Sequence, residues 1–79
     1  MNELRAHIVV DSEIRFGKPC IKGTRITVGD ILQWLSAGMN ERDIIANYPE
    51  LQRIHIRAAL AFAAERDEMT KVIVHETVA

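Results

Sequence analysis

Three histidines, one cysteine and eleven Asp and Glu residues are the side chains of this 79-residue chain best suited to hold a metal or move a proton. Their spacing argues against both. His7, His55 and His75 lie far apart and form no HxxxH or HxxE pair, the spacings that set ligands on one face of a helix. Cys20 is alone, so an internal disulfide and a thiolate-rich metal site are both excluded. Between Pro19 and Ile21 it reads as a small packed residue rather than a nucleophile. No two carboxylates share a setting that would drive their pKa values apart for acid–base work. Gly17 and Gly23 suggest a phosphate-cradling loop, yet neither GxxxxGK[ST] nor GxGxxG occurs. The expectation is a non-enzyme with no metal, cofactor or small-molecule substrate.

The chemistry that remains is electrostatic. Ile14 to Gly29 carries Arg15, Lys18, Lys22 and Arg25 with no acid, and Leu51 to Ala64 carries Arg53, His55 and Arg57 with none. The acids gather elsewhere, notably at Glu65, Asp67 and Glu68. A net charge of −1 exerts no overall pull on nucleic acid. Segregated charge can nevertheless give a neutral protein a positive face, and a plainly solvated surface gives the same pattern. In the Gly23-Thr24-Arg25 turn the structural reading gives Gly23 a positive φ, Thr24 a turn amide to satisfy and Arg25 a carboxylate partner. The functional reading has Lys18, Lys22 or Arg25 contact phosphate or a protein partner.

These residues must be positioned by short elements. Residues 7–26 read as a β-rich arm. His7 to Val10 is a β-branched run, Ile14 to Phe16 a second short strand ended by Gly17, and Pro19 to Ile21 a third. Over 27–67 the period changes to that of helices. Thr27 is an N-cap with Asp30 reaching back to it, and Val28, Ile31, Leu32 and Leu35 recur at helical spacing before Gly38. Asn40 caps a second helix carrying Glu41, Asp43, Ile44, Ile45 and Tyr48, stopped by Pro49. A third helix is predicted from about Gln52 to Asp67. Ile56, Ala59, Leu60 and Ala63 form its expected core stripe, with Ile54, Ala58 and Ala61 nearly opposite and Phe62 between. Residues 70–78, which include the alternating Lys71–Val78 run, are read as a final strand or a tail.

A helix apolar on two sides needs two packing surfaces. Since a chain this short buries a marginal core, a second copy is the expected one, with Ile54, Ala58, Ala61, Phe62 and Trp34 as candidate interface residues. For Trp34 the alternative is a place at the core edge. Three short helices with a tight turn before the last match the helix-turn-helix plan, in which Gln52, Arg53, His55 and Arg57 would meet DNA. No apolar stretch approaches the ~18 residues needed to span a membrane, and the first ten residues have no signal-type core. With a lone cysteine, a reduced, cytoplasmic location is expected.

The run Gly17-Lys18-Pro19-Cys20-Ile21-Lys22-Gly23-Thr24-Arg25-Ile26-Thr27-Val28 resembles the signature of the bacterial DUF433 family, a domain of unknown function. Leu35-Ser36-Ala37-Gly38-Met39, Tyr48-Pro49-Glu50-Leu51 and Ile56-Arg57-Ala58-Ala59-Leu60 follow in order, so the likeness covers roughly residues 7–64. The resemblance implies a homeodomain-like three-helix fold with a small N-terminal β element. It also implies an antitoxin of the VapB kind, one that neutralises a PIN-like ribonuclease toxin and represses its own operon. The competing readings are a stand-alone DNA-binding regulator and a protein-interaction adaptor with a degenerate helix-turn-helix. One departure stands out. Gln52 occupies a position where family members often place a Ser or Thr N-cap, and Arg53 and His55 replace acids common in that first turn. Cations there oppose the helix dipole.

Overall fold

The computed structural model describes the backbone of residues 2–78 and the side chains of residues 3–68. It is mainly helical, with four helices and one two-stranded antiparallel sheet. The order is α1 (Asn2–Arg5), β1 (Ile8–Val9), β2 (Cys20–Ile21), α2 (Val28–Ser36), α3 (Glu41–Asn47) and α4 (Arg53–Val78).

The arm is held by a small number of backbone bonds. Ile8 pairs with Ile21 and Val9 with Cys20, and Cys20 also bridges to Thr27. Beyond β2 the chain folds straight back. Thr24 N–H donates to the Ile21 carbonyl, Ile21 N–H to that of Ile26 and Val28 N–H to that of Pro19. Gly23 holds the φ of +82° that this reversal requires, and the Thr24 hydroxyl accepts from Ile26 N–H at 3.0 Å, as the sequence leads one to expect. The reversal buries Ile21 and Ile26 together and delivers the chain to the start of α2.

Ahead of the arm, residues 2–5 form a short helix. One part of the arm differs from expectation. Ile14 to Phe16 is no strand: Arg15–Gly17 is a 3-10 turn whose three residues all have positive φ, at 50°, 60° and 81°. A series of turns leads into it, begun by the Asp11 carboxylate accepting from Glu13 N–H and continued by Ile14 N–H donating to the Asp11 carbonyl. Short side-chain-to-backbone bonds of this kind compete with strand formation.

The next two helices start and stop where the residues direct. Thr27 and Asp30 form a reciprocal capping box on α2, and Asn40 and Asp43 form another on α3. Gly38, at φ +103°, ends α2. Helix α4 departs from its predicted extent, because it runs through residues 70–78, where a strand or tail is expected. No Gly or Pro interrupts Arg53 to Val78, and adding one residue to an established helix is favourable where starting a new element is not.

The core contains Ile8, Ile21, Ile26, Val28, Ile31, Ile44, Leu51, Ile56, Ala58, Ala59 and Phe62. The buried stripe of α4 is therefore turned by about one residue position from the predicted one. Leu60 is 45% exposed, whereas Ala58 and Phe62, expected to meet another subunit, lie inside this chain's own core. The cause is α1, which packs on that side of α4. Leu4 packs against the core, and Arg5 lies 5.5 Å over the Phe62 ring.

Candidate functional site

Two surfaces gather polar side chains. The first lies between α3 and the start of α4, where Glu41, Arg42, Ile45 and Arg53 line an open cleft of about 430 Å³. Arg53 Nε donates to Glu41 Oε1 at 3.2 Å, with the Arg53 side chain 80% exposed. A pair this exposed is worth at most about 1 kcal/mol and exchanges readily for another anion. Its effect on the helix is more definite. Glu41 sets a negative charge against the cation in the first turn of α4, offsetting the dipole conflict that Arg53 would otherwise create.

Gln52 and Arg57 are exposed on the same stretch, and Ile54 is half-buried. His55, expected beside them as a DNA contact, is half-buried. Its Nδ1 accepts the Gln52 backbone N–H at 2.9 Å, and its ring meets the edge of His7 at 5.4 Å and 72°. This is the return half of a capping box, with imidazole in place of the usual Glu or Gln. It explains how Gln52 can replace a better N-cap. Burial first, and the neighbouring His7 second, lower the His55 pKa from 6.5, which favours the neutral ring that the bond needs. His55 thus caps α4, a structural role that the sequence reading had not given it. Arg42, which the sequence reading did not single out, also lines the cleft. The available signal is its position: second residue of the helix preceding the candidate recognition helix.

The second surface belongs to the arm. Lys18, Pro19, Thr27, Gly29, Asp30 and Gln33 line a shallow cleft of about 390 Å³. Lys18, Lys22 and Arg25 are all exposed. Arg25 does not take the carboxylate partner expected of it. Arg15 does, with Nη1 at 3.1 Å from Asp30 Oδ2, while Arg25 contributes its carbonyl to the same guanidinium at 2.8 Å. Burial works against the charge on Asp30, but bonds from the Thr27 backbone and hydroxyl and from Arg15 outweigh it and hold the carboxyl below 3.8. One carboxylate therefore caps α2 and anchors the left-handed turn. Holding Arg15 and Phe16 at positive φ costs on the order of 1 kcal/mol or more each, and the Arg15 contacts help offset it.

Of the remaining predicted interface residues, Trp34 is half-buried against Tyr48, the rings stacked at 4.1 Å and 10°, and Ala61 is half-buried. Cys20 is fully buried in β2. Among the described residues there is no group of three or more His, Cys, Asp or Glu able to hold a metal ion, and no helix long and apolar enough to cross a membrane.

The fold has a counterpart of known structure. A DUF433 member protein from Anabaena variabilis superposes with a TM-score of 0.74 at 23% identity, over 87% of this chain and 68% of that one. No curated protein matches the chain. The model of a protein family of unknown function, DUF433, matches residues 8–63, which takes in the arm, α2, α3 and the buried part of α4. The chain belongs to the DUF433 family.

Proposed function

We propose that this protein is a DNA-binding antitoxin of a type II toxin–antitoxin pair, using α2, α3 and the first turns of α4 as a homeodomain-like helix-turn-helix. The observation that carries the DNA half is the cleft between α3 and α4. There Arg42 and Arg53 stand at the junction of the two helices, with Gln52 and Arg57 exposed alongside. In a helix-turn-helix the second of two such helices enters the major groove and the first crosses the backbone. Arg53 and Arg57 are then placed for bases or phosphates, and Arg42 for a phosphate. The antitoxin half rests on the family resemblance, which supports a PIN-like ribonuclease as partner.

Binding to the gene's own upstream duplex, measured across a salt series against an unrelated duplex, tests the DNA half. Selective binding that weakens with salt is the expected result. Equal affinity for both duplexes would overturn operator recognition. Co-purification with the neighbouring gene product, and loss of that product's nuclease activity on mixing, tests the other half. If no toxin gene lies beside it, the stand-alone regulator becomes the better reading.

A protein-interaction adaptor is the second reading, and one observation favours it. Glu41 already occupies Arg53 at 3.2 Å, and the chain as a whole is slightly acidic at −1. That balance gives little non-specific hold on DNA.

A further inference from the structure

Among the described residues three large apolar side chains stand exposed, and one of them, Leu60 at 45%, belongs to a helix. The helical pattern assigns Leu60 to the core stripe of α4, and the packing of the chain leaves it at the surface instead. Arg53, Arg57, Leu60 and Ala64 recur at i, i+4, i+7 and i+11, so they line one face of α4, and all four are exposed. Leu60 therefore shares its face with the two arginines that the DNA reading aims at a duplex, about two turns from the start of the helix.

The surroundings of Leu60 indicate what it meets. A helix face that docks on a protein is built from several large apolar anchors set close together. On α4 Leu60 is the sole described side chain of that kind left exposed, set between Arg57 and Ala64. No acid occurs from Arg53 to Ala64, and Glu65 then opens an acidic stretch. The acid-free face thus runs for about three turns, with its cations in the first two, and complements a polyanion over that length alone. Beside Leu60 the half-buried Ala61 and Ala63 are small, which lets the helix approach the floor of a groove. The apolar group that the major groove offers there is a single one, the C5-methyl of thymine. A lone leucine among cations and alanines suits an isolated methyl.

We propose that Leu60 is a specificity-determining residue of the DNA interface, packing on a thymine C5-methyl in the major groove while Arg53 and Arg57 hold neighbouring phosphates or bases. The inference rests on the DNA-binding reading and adds the base that this face selects.

Fluorescence anisotropy on the gene's upstream duplex, made with thymine or with deoxyuridine in its place, tests it. Uracil keeps the base pair and lacks only the methyl group. With the wild-type chain the change to uracil is expected to weaken binding about fourfold, the worth of one buried methyl. Leu60→Ala should weaken binding to the thymine duplex by at least that factor, keep the wild-type circular dichroism spectrum and bind the two duplexes alike. Leu60→Met, apolar and of similar volume, should retain the preference for thymine. A wild-type chain indifferent to the methyl overturns the proposal while the DNA reading stands, as does a Leu60→Ala variant that separates thymine from uracil as well as wild type does. If the wild-type chain binds the upstream duplex no better than an unrelated one, the DNA reading itself fails and this inference with it. The change to uracil leaves the protein untouched, so the test stays decisive should Leu60→Ala fold poorly.

Discussion

His55 is a base whose usefulness here depends on its being unprotonated. It holds the Gln52 N–H through Nδ1, and a proton on that nitrogen would turn an acceptor into a donor aimed at another donor. Because burial and His7 push its pKa below 6.5 in the folded chain, the unfolded chain binds the proton more readily, and acid favours unfolding. The contribution is therefore complete above about pH 6.5 and is lost as the pH falls toward the folded-state value. His55→Ala is expected to cost about 1 kcal/mol in urea unfolding at neutral pH and to remove that part of the pH dependence. His55→Glu, which restores the usual capping box, is expected to retain most of the stability. If His55→Ala left the acid limb of the stability profile unchanged, the cap would not be its source. Asp30 obeys the same rule at lower pH. Its carboxyl lies below 3.8 when folded, so its contribution is present above that value and is lost as the pH falls through the folded pKa. Since it serves the α2 cap and the Arg15 turn together, Asp30→Ala is expected to cost about 1–2 kcal/mol. A double-mutant cycle with Arg15→Ala should show coupling, the mark of a shared structure. Strict additivity would mean that the turn is held by other contacts.

Among the elements, glycine positions test the backbone argument with opposite signs. At Gly38 an added Cβ would meet nothing within 4 Å, so the φ of +103° alone decides the outcome. Gly38→Ala is expected to destabilise by about 1 kcal/mol, lowering Tm by roughly 4–8 °C for a domain of this size. Gly29 sits inside α2 with ordinary φ, and its nearest neighbour would be Thr27 Oγ1 at 3.7 Å. Gly29→Ala is accordingly expected to stabilise by about 0.5–1 kcal/mol, and thermal melts of the two variants moving in the same direction would contradict the account. The helices α2 and α3 were legible in the sequence for the same reason that these predictions are sharp: Thr27 with Asp30, Asn40 with Asp43, Gly38 and Pro49 act locally. Most of what was illegible depends on distant partners. Ile14 to Phe16 has the composition of a strand, but local turns from Asp11 and the Arg15 contact with Asp30, far along the chain, set its geometry. The inward face of α4 is chosen by α1 rather than by α4's own pattern, so Ala58 and Phe62 are buried and Leu60 is left partly in water. In the candidate site, Arg53 and Arg57 could be named from position alone. The His55 cap is local, three residues from Gln52, but was missed because imidazole replaces the usual Glu or Gln acceptor.

For the whole molecule the question is how a chain of net charge −1 would hold a polyanion. Binding must come from local placement, since the total charge supplies none of it. Glu41 is the critical neighbour, 3.2 Å from Arg53 and lining the same cleft as Arg42. If duplex DNA docks there, the Glu41 carboxylate repels the phosphates and competes for Arg53, so Glu41→Gln should tighten binding several-fold at low salt. Arg53→Ala should weaken it and reduce the slope of log K against log salt by about 1, since one phosphate fewer is then neutralised. Arg57→Ala separates the two kinds of contact. A uniform loss across sequences assigns it to the backbone, and a loss confined to the upstream duplex assigns it to a base, worth about 1–3 kcal/mol of discrimination. An adaptor predicts the reverse for Glu41: a protein partner that reads the Arg53–Glu41 pair loses affinity when the carboxylate is neutralised, while DNA binding stays weak and insensitive to both substitutions. Because one change at one position moves the two readings in opposite directions, fluorescence anisotropy on the Glu41→Gln variant discriminates between them with any duplex that carries the upstream region, before the operator itself is mapped.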